Sequence, residues 1–235
     1  MRRLIFISAG DHATLDLYRV RVPGDYDLYI TYYGDSPAQK TRLKGVANHF
    51  NVRKGSKLQN FHHLWQTTPA VREYDYYLLM DDDIAMSQTE LGYMFETLHK
   101  YNAWLIQPSF KKTGRISHAI TAQVPGSLLR FVNFVEVTCM FMSKDAITRS
   151  MAAYDPVLIG WGIDYLFIQT LGRHEKDKYI VVDKVAVCNP IRVPRELECA
   201  DGYAKREMMW RRLATSRKLL TGWKHETYHE IADSG

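Results

Sequence analysis

The sequence predicts an α/β fold in which helices flank a mostly parallel sheet. Two observations indicate this fold. Short apolar runs alternate with segments of helical periodicity, and turn-forming or acidic residues end most of those runs. The chain has 235 residues, of which 46% are hydrophobic and 24% charged. This composition is typical of a globular chain with a substantial core.

Apolar runs predict the strands of the first half, and amphipathic periodicity predicts its helices. The predicted strands cover residues 4–9, 26–33, 74–80 and 104–107. The predicted helices cover residues 56–66, with Ser56 as the N-cap, and residues 88–101. Residues 74–80 form the most apolar of these strands and run directly into three aspartates.

The second half of the chain is less regular. Alternation predicts one strand over residues 131–142, and a continuous apolar run predicts another over 179–187. Helices are predicted over 144–154 and over 165–171, the latter following a Gly-Trp-Gly turn. We expect a single domain over residues 1–200, followed by a basic helical extension over residues 201–235.

The positive charge of the chain is concentrated near its C-terminus. Residues 201–224 carry seven basic and two acidic side chains, which equals the net charge of +5 of the whole chain. A nucleic-acid-binding face usually spreads basic residues among stacking aromatics, so we expect no nucleic acid partner. The amphipathic part, residues 203–220, allows two interpretations: contact with an anionic membrane surface, or packing of its apolar face on the domain. We favour packing.

Composition also bears on localisation. No run of 18 uncharged apolar residues is present, which argues against a membrane-spanning helix. The first apolar run is too short for a signal peptide and is better explained as a buried strand. Three scattered cysteines predict neither a disulfide framework nor a zinc cluster. We therefore expect a cytoplasmic protein, with peripheral membrane contact through residues 203–220 as the open alternative.

The acidic triplet Asp81-Asp82-Asp83 follows the most apolar strand. Ligands of open parallel sheets bind at the carboxyl ends of strands. Adjacent carboxylates repel one another, and a divalent cation with oxygen ligands relieves that repulsion. Asp81 and Asp83 point the same way in an extended chain and can share one Mn²⁺ or Mg²⁺ ion. The alternative is a solvated turn or a helix cap.

An apolar strand followed by these aspartates resembles the D-x-D motif of GT-A-fold glycosyltransferases. Residues 74–192 more specifically resemble an uncharacterised glycosyltransferase-like family of plants and bacteria, through segments 74–84, 105–110, 116–121, 135–146, 160–167 and 181–187. The resemblance implies a GT-A-like, Rossmann-like mixed sheet flanked by helices. It also implies that Asp81 and Asp83 hold the metal, and that Asp81 and Asp82 contact the nucleotide-sugar.

The segment Gly160-Trp161-Gly162-Ile163-Asp164 combines an exposed indole with a carboxylate at a helix start. An indole face suits the C–H face of a sugar, and a carboxylate can accept a proton from an attacking hydroxyl. The segment resembles the acceptor region of inverting GT-A enzymes, which implies that Asp164 is the general base and that Trp161 and Gly162 shape the acceptor site. Alternatively, Trp161 belongs to the core and Asp164 caps the helix. Ile163 stands where several such enzymes carry a second acid.

Further residues are candidates by position. Glu136, on the predicted strand 131–142, is the reserve base or an acceptor contact. His118 matches a histidine of the resembled family, which implies a contact with the donor or the acceptor. Basic side chains near the predicted helix 56–66 suit phosphates. The end of the first strand lies where this fold usually binds the nucleotide base and ribose. The resulting nucleotide-binding candidates are Arg53, Lys57, Ser8, Ala9, Gly10 and Asp11.

One departure from the family pattern concerns the metal. The resembled family carries a histidine ligand after the last strand, but this chain has Asn189 there. An amide oxygen is a weaker ligand for Mn²⁺ than imidazole. The metal dependence of the reaction is therefore left open.

Together these features predict a hexosyl- or pentosyltransferase. It moves a sugar from a nucleoside-diphosphate donor, with a UDP-sugar favoured, to an acceptor hydroxyl of a glycan or glycoconjugate, assisted by Mn²⁺ or Mg²⁺. Two alternatives remain. One is a non-catalytic nucleotide- or sugar-binding module. The other is an aspartate-dependent phosphohydrolase, against which the mid-chain position of the triplet argues.

Overall fold

The computed structural model describes residues 1–14, 26–191 and 203–233. Within these residues, nine strands form one sheet in the order β3-β2-β1-β4-β7-β5-β8-β6-β9. The strands are β1 (Arg3–Ala9), β2 (Asp27–Tyr32), β3 (His49–Val52), β4 (Tyr76–Asp81), β5 (Leu105–Phe110), β6 (Ser127–Val132), β7 (Cys139–Ser143), β8 (Tyr179–Val187) and β9 (Thr227–Ala232).

Helices pack against both faces of the sheet. They are α1 (Pro37–Val46), α2 (Lys57–Thr67), α3 (Gln88–Lys100), α4 (Lys144–Ala153), α5 (Ile163–Leu171) and α6 (Tyr203–Ser216). Short 3₁₀ turns cover Pro69–Glu73 and Ala119–Thr121. The predicted N-cap of α2 is confirmed, since Ser56 and Gln59 form a reciprocal capping box.

Two apolar clusters form the core, one on each face of the sheet. Alternate residues of β1 contribute to opposite clusters: Leu4 and Phe6 to one, Ile5 and Ile7 to the other. The first cluster contains the buried faces of α2, α4, α5 and α6, and the second contains those of α1 and α3. Such burial on both faces explains why these strands are continuous apolar runs.

The expectation of a mostly parallel sheet holds only for part of it. Strands β3, β2, β1 and β4 run parallel, and so do β5 and β8. Strand β7 is antiparallel to both β4 and β5, and β6 is antiparallel to β8 and β9. The sheet is therefore mixed, as the GT-A resemblance implies.

The single strand predicted over residues 131–142 is wrong. Residues 133–138 leave the sheet and connect β6 to β7, which are not neighbours. Side-chain hydrogen bonds hold this connection in place of a strand partner. The backbone N–H of Glu136 donates to Oε1 of Gln107. The side-chain amide of Asn133 donates to the carbonyl of Lys224 and accepts the N–H of Glu226. Glu136 consequently lies in a buried loop and not on a strand.

The segment after residue 200 was expected to be helical, and it contains α6 but also β9. Strand β9 pairs antiparallel with β6 and extends the main sheet. Strand β9, helix α1 and strand β3 lie where the sequence pattern predicts no element. The proposed domain boundary at residue 200 lies outside the described residues.

Candidate active site

Two predicted binding segments meet at one edge of the sheet, where β1 and β4 end. Ser8 of β1 is in register with Asp81 of β4. Just beyond the strands, the backbone N–H of Gly10 donates a 2.8 Å hydrogen bond to Oδ2 of Asp82. The structure thus brings segment 8–11 beside the acidic triplet, because parallel neighbours end at the same edge of a sheet.

The carboxylate of Asp11 holds the loop that follows β2. It accepts hydrogen bonds from the hydroxyl of Tyr32 and from the backbone N–H groups of Asp35 and Ser36, the last at 3.0 Å. These bonds, that of Tyr32 foremost, lower the pKa of Asp11 to about 2. Asp11 therefore stabilises the chain around the predicted nucleotide segment, and its contact with a nucleotide stays a prediction.

Ser8 and Arg53 belong to one hydrogen-bond chain through Asn60 of α2. Nδ2 of Asn60 donates to Oγ of Ser8 at 2.7 Å, and Nη1 of Arg53 donates to Oδ1 of Asn60 at 2.6 Å. Both Ser8 and Asn60 are buried. This chain joins the start of α2 to the end of β1, and a phosphate contact by Arg53 remains a prediction.

A cleft of about 380 Å³ adjoins Asp81 and the start of α2. Half of the predicted site residues line it: Lys57, Asp81, His118, Glu136, Trp161, Gly162 and Asp164. The others lie outside its lining: Ser8, Ala9, Gly10, Asp11, Arg53, Asp82 and Asp83. Sequence reasoning missed five polar lining residues: Arg115, Ser117, Thr138, Tyr165 and Arg206.

The turn before α5 places Asp164 at the wall of the cleft. Gly162 is the N-cap of α5 and adopts φ 85°, in the left-handed region that favours glycine. A Cβ on Gly162 would lie 2.2 Å from Cγ of Trp210 in α6. The tight turn and the close helix explain the second glycine of the Gly-Trp-Gly segment. Trp161 is only partly buried, packs against the core and lines the cleft.

Asp164 and Glu136 form a buried acidic pair at this wall. Burial, together with the negative charge of Glu136, raises the pKa of Asp164 to about 7. Oδ1 of Asp164 accepts a 3.0 Å hydrogen bond from the N–H of Tyr165. Oε1 of Glu136 accepts a 2.6 Å hydrogen bond from the hydroxyl of Thr138. A carboxyl group that titrates near neutral pH is suited to proton transfer.

His118 lies in an aromatic cluster beside these acids. Its ring centroid is 4.5 Å from that of Phe134 and 5.2 Å from that of His225. Burial, and to a lesser degree the charge of His225, lowers the pKa of His118 to about 4. The ring is therefore neutral at physiological pH, and it can donate or accept a hydrogen bond at the cleft without carrying charge.

At the acidic strand end, a lysine takes the place of a divalent metal beside Asp81. Oδ1 of Asp81 lies 2.6 Å from the ammonium of Lys57, and Asp82 accepts the N–H of Gly10. Asn189, which stands where the family pattern has a histidine ligand, is buried and lies outside the cleft lining. Across residues 1–14, 26–191 and 203–233, no group of three or more His, Cys, Asp or Glu side chains is placed to hold a metal. The predicted sharing of a cation by Asp81 and Asp83 therefore lacks support in this geometry.

Packing of α6 on the domain, the favoured interpretation of residues 203–220, agrees with the structure. Trp210 and Ala214 are buried in the core, and Leu213 packs against it. Trp210 and Ala214 are therefore not available to a membrane, whereas Met208 and Leu220 are exposed. The proposed peripheral contact has no support in the described residues. In the described part of the chain, no helix has the length and apolar character needed to cross a membrane.

Solved structures share this fold at low sequence identity. S. aureus TarS 1-349 in complex with UDP-GlcNAc matches with a TM-score of 0.57 and 12% identity, covering 89% of this chain and 65% of that one. GalNAc-T7 with UDP, GalNAc and Mn²⁺ matches with a TM-score of 0.59 and 11% identity, covering 91% of this chain and 47% of that one. The chain therefore spans less than two thirds of these structures.

No protein-family model matches the chain, and no curated protein matches it either. The structural neighbours confirm the predicted fold class: the chain has the GT-A fold, a mixed α/β sheet flanked by helices. The narrower resemblance to a family of plants and bacteria stays a prediction.

Proposed function

We propose that this chain is a glycosyltransferase that moves a sugar from a nucleoside-diphosphate donor to an acceptor hydroxyl. One observation carries the proposal: in a GT-A fold, Asp81 at the end of β4 and Asp164 at the start of α5 line one cleft. The structures of TarS and GalNAc-T7 contain UDP-GlcNAc, or UDP with GalNAc, which favours a UDP-sugar donor. The transferred sugar is proposed to be a hexose or a pentose, and the acceptor a glycan or glycoconjugate.

Asp164 is the proposed general base. In the reaction, the acceptor oxygen bonds to the anomeric carbon, the bond from that carbon to the diphosphate breaks, and the diphosphate leaves with the electron pair. The proton of the acceptor hydroxyl passes to the carboxylate of Asp164, whose pKa of about 7 permits this near neutral pH. This route inverts the anomeric configuration, so a product with retained configuration would contradict the role of Asp164.

The remaining cleft residues have proposed positioning roles. The partly buried indole of Trp161 offers a face to the acceptor sugar. Glu136 keeps the pKa of Asp164 high through its negative charge. His118, neutral at physiological pH, donates or accepts a hydrogen bond to a sugar hydroxyl. Mn²⁺ is present in the GalNAc-T7 structure, but the roles proposed here for Trp161, Glu136 and His118 do not depend on a metal.

Thermal unfolding with UDP-, GDP- and dTDP-sugars tests the proposal. A donor present at 100 times its Kd stabilises the folded state by about 2.7 kcal/mol, a readily measured shift. We expect one nucleotide class to raise the melting temperature. If no nucleotide sugar does so, with or without Mn²⁺, the cleft is not a donor site and the proposal fails. Binding with no transfer to any acceptor would instead indicate a non-catalytic module.

A further inference from the structure

Three basic side chains from distant parts of the chain line the cleft: Lys57 of α2, Arg115 of the loop after β5, and Arg206 of α6. A nucleoside diphosphate carries two or three negative charges on its phosphates. The described residues contain no group of three or more His, Cys, Asp or Glu side chains placed to hold a metal ion. These basic side chains are therefore candidates to neutralise the charge of the phosphates.

Lys57 places a fixed positive charge on the acidic strand end. Its side chain is only 9% exposed, and Nζ lies 2.6 Å from Oδ1 of Asp81. The same ammonium donates hydrogen bonds to the carbonyl oxygens of Val137, at 2.5 Å, and Thr138, at 3.1 Å. An ammonium has three donors, and these three acceptors match them. Lys57 therefore binds one of the two carboxylates, Asp81 and Asp83, that the D-x-D resemblance assigned to a divalent cation.

Arg206 is held beside the turn that carries Trp161. Its helix is anchored by Trp210, which is buried against Gly162. A Cβ on Gly160 would lie 3.6 Å from Nη1 of Arg206, which places the guanidinium directly beside this turn. A guanidinium presents parallel N–H donors that match phosphate oxygens, and it retains its charge at any physiological pH.

Arg115 enters the cleft from the loop after β5. Its backbone N–H donates a 2.8 Å hydrogen bond to the carbonyl of Asn189, and a Cβ on the preceding Gly114 would lie 2.6 Å from that same oxygen. The loop therefore packs tightly on the chain after β8. The region for which the family pattern implies a metal-binding histidine instead positions a cationic side chain at the cleft.

We propose that this cleft binds the donor diphosphate without a divalent metal, using Arg206 and Arg115 as phosphate ligands and Lys57 as a built-in cation at Asp81. The inference rests on the proposed glycosyltransferase function and adds how that site neutralises its donor. Lys57 acts through Asp81, cancelling a carboxylate charge that would repel the diphosphate, and is a positioning residue.

Isothermal titration of the full chain with UDP, GDP and dTDP, in EDTA and in Mn²⁺, tests the inference. We expect the preferred nucleotide to bind with a Kd that differs by less than about three-fold between the two conditions, a small change on the free-energy scale. Binding that needs Mn²⁺, or is strengthened more than about ten-fold by it, overturns the inference and leaves the proposed function standing. If no nucleotide binds in either condition, both are overturned.

Variants identify the ligands. Arg206→Met is expected to weaken binding in EDTA by about ten-fold or more, since it removes charge-assisted hydrogen bonds, and Arg206→Lys is expected to recover only part of that loss. Lys54→Met is the matched control: Lys54 pairs with exposed Asp35, outside the cleft lining, and its loss should leave Kd unchanged. Equal affinities of Arg206→Met and Lys54→Met would refute the assignment of Arg206.

The variant Lys57→Met tests whether Lys57 supports nucleotide binding as a cation at Asp81 or only stabilises the fold. The variant leaves Asp81 without its ammonium partner. We therefore expect it to bind the nucleotide weakly in EDTA and to regain affinity in Mn²⁺, whereas the affinity of the wild type is expected to be similar in both conditions. Undiminished binding of folded Lys57→Met in EDTA would contradict the proposed role. If this variant does not fold, Arg115→Met and Arg206→Met still test the metal-free phosphate site.

Discussion

Trp210 lies against the backbone of Gly162, so close that a Cβ on this glycine would be 2.2 Å from Cγ of the indole. The contact joins the last described helix to the turn that precedes Asp164. Through this contact Trp210, 46 positions after Asp164 in the chain, helps to position the candidate base. The basic segment near the C-terminus is therefore part of the architecture of the cleft.

Gly162→Ala is expected to destabilise the protein by about 2–4 kcal/mol. The new Cβ overlaps the indole of Trp210, and φ 85° is unfavourable for alanine. Chemical denaturation measures the change. Gly92→Ala in α3 is the control, because no atom lies within 4 Å of its Cβ position and alanine favours a helix. Equal stabilities of the two variants would show that the close contact with Trp210 does not exist in solution.

Asp164→Asn tests the raised pKa of the buried acid. Between about pH 4 and pH 7 the folded wild type keeps a proton that the unfolded chain releases, so its free energy of unfolding falls as pH rises. Asparagine cannot ionise, so we expect the variant to gain stability relative to wild type over this window, on the order of 2 kcal/mol between pH 5 and pH 7. Denaturation at several pH values measures it.

The control for that experiment is Asp145→Asn. Asp145 occupies the first turn of α4, as Asp164 occupies the first turn of α5, but its side chain is 65% exposed and lies outside the cleft lining. The control should show no comparable gain. A pH profile for Asp164→Asn that parallels that of the control would contradict the buried, protonated state of Asp164.

His118→Phe tests the neutral histidine of the aromatic cluster. The unfolded chain binds a proton near pH 6.5, whereas the folded chain resists protonation until about pH 4, so acidification through this window destabilises the wild type. Phenylalanine removes this contribution, and the variant should lose less stability between pH 6.5 and pH 4. The same substitution at exposed His63 provides the comparison. Parallel acid profiles of wild type and His118→Phe would refute the burial of His118.

Arg130→Met is expected to be among the most destabilising single changes. Nε of Arg130 lies 2.8 Å from Oδ2 of Asp183, and both side chains are buried. Removing the guanidinium leaves a buried carboxylate uncompensated, which costs about 3–5 kcal/mol. Arg211→Met, which breaks only the exposed pair with Glu207, should cost less than about 1 kcal/mol. A similar loss in both variants would argue against a buried pair.

The parts of the site that could be predicted from the sequence depend on features of neighbouring residues, such as strand ends, turns and helix caps. Asp81 was predicted at a binding edge because it ends an apolar strand, and Ser8 was assigned to the nucleotide from the position that the GT-A resemblance implies. The structure places the two residues in register. Asp164 was expected at a helix start because a glycine turn precedes it, and α5 begins there. Ser56 was expected as a cap from its position before an amphipathic run.

The parts that were missed depend on contacts between distant segments. Arg206 reaches the cleft only because Trp210 anchors α6, and no periodicity in residues 203–216 indicates which domain surface the helix covers. Glu136 was assigned to a strand because alternation cannot distinguish a strand from a buried connection held by side chains. The ion pair of Lys57 with Asp81 was also missed, because the two residues are 24 positions apart in the chain. This pair places a lysine at a carboxylate for which the sequence predicted a divalent cation.

Transfer activity of the wild type, compared with Asp164→Asn, tests the proposed function most directly. The wild type and the variant are incubated with nucleotide sugars and a glycan acceptor panel, and the released nucleoside diphosphate is measured together with the glycosylated product. The proposed function predicts product formation by the wild type that rises with pH through about 7, with a loss of about 100-fold or more in Asp164→Asn. Product formed at the same rate by Asp164→Asn would contradict its role as base. Donor binding with neither product nor released diphosphate would contradict glycosyl transfer itself.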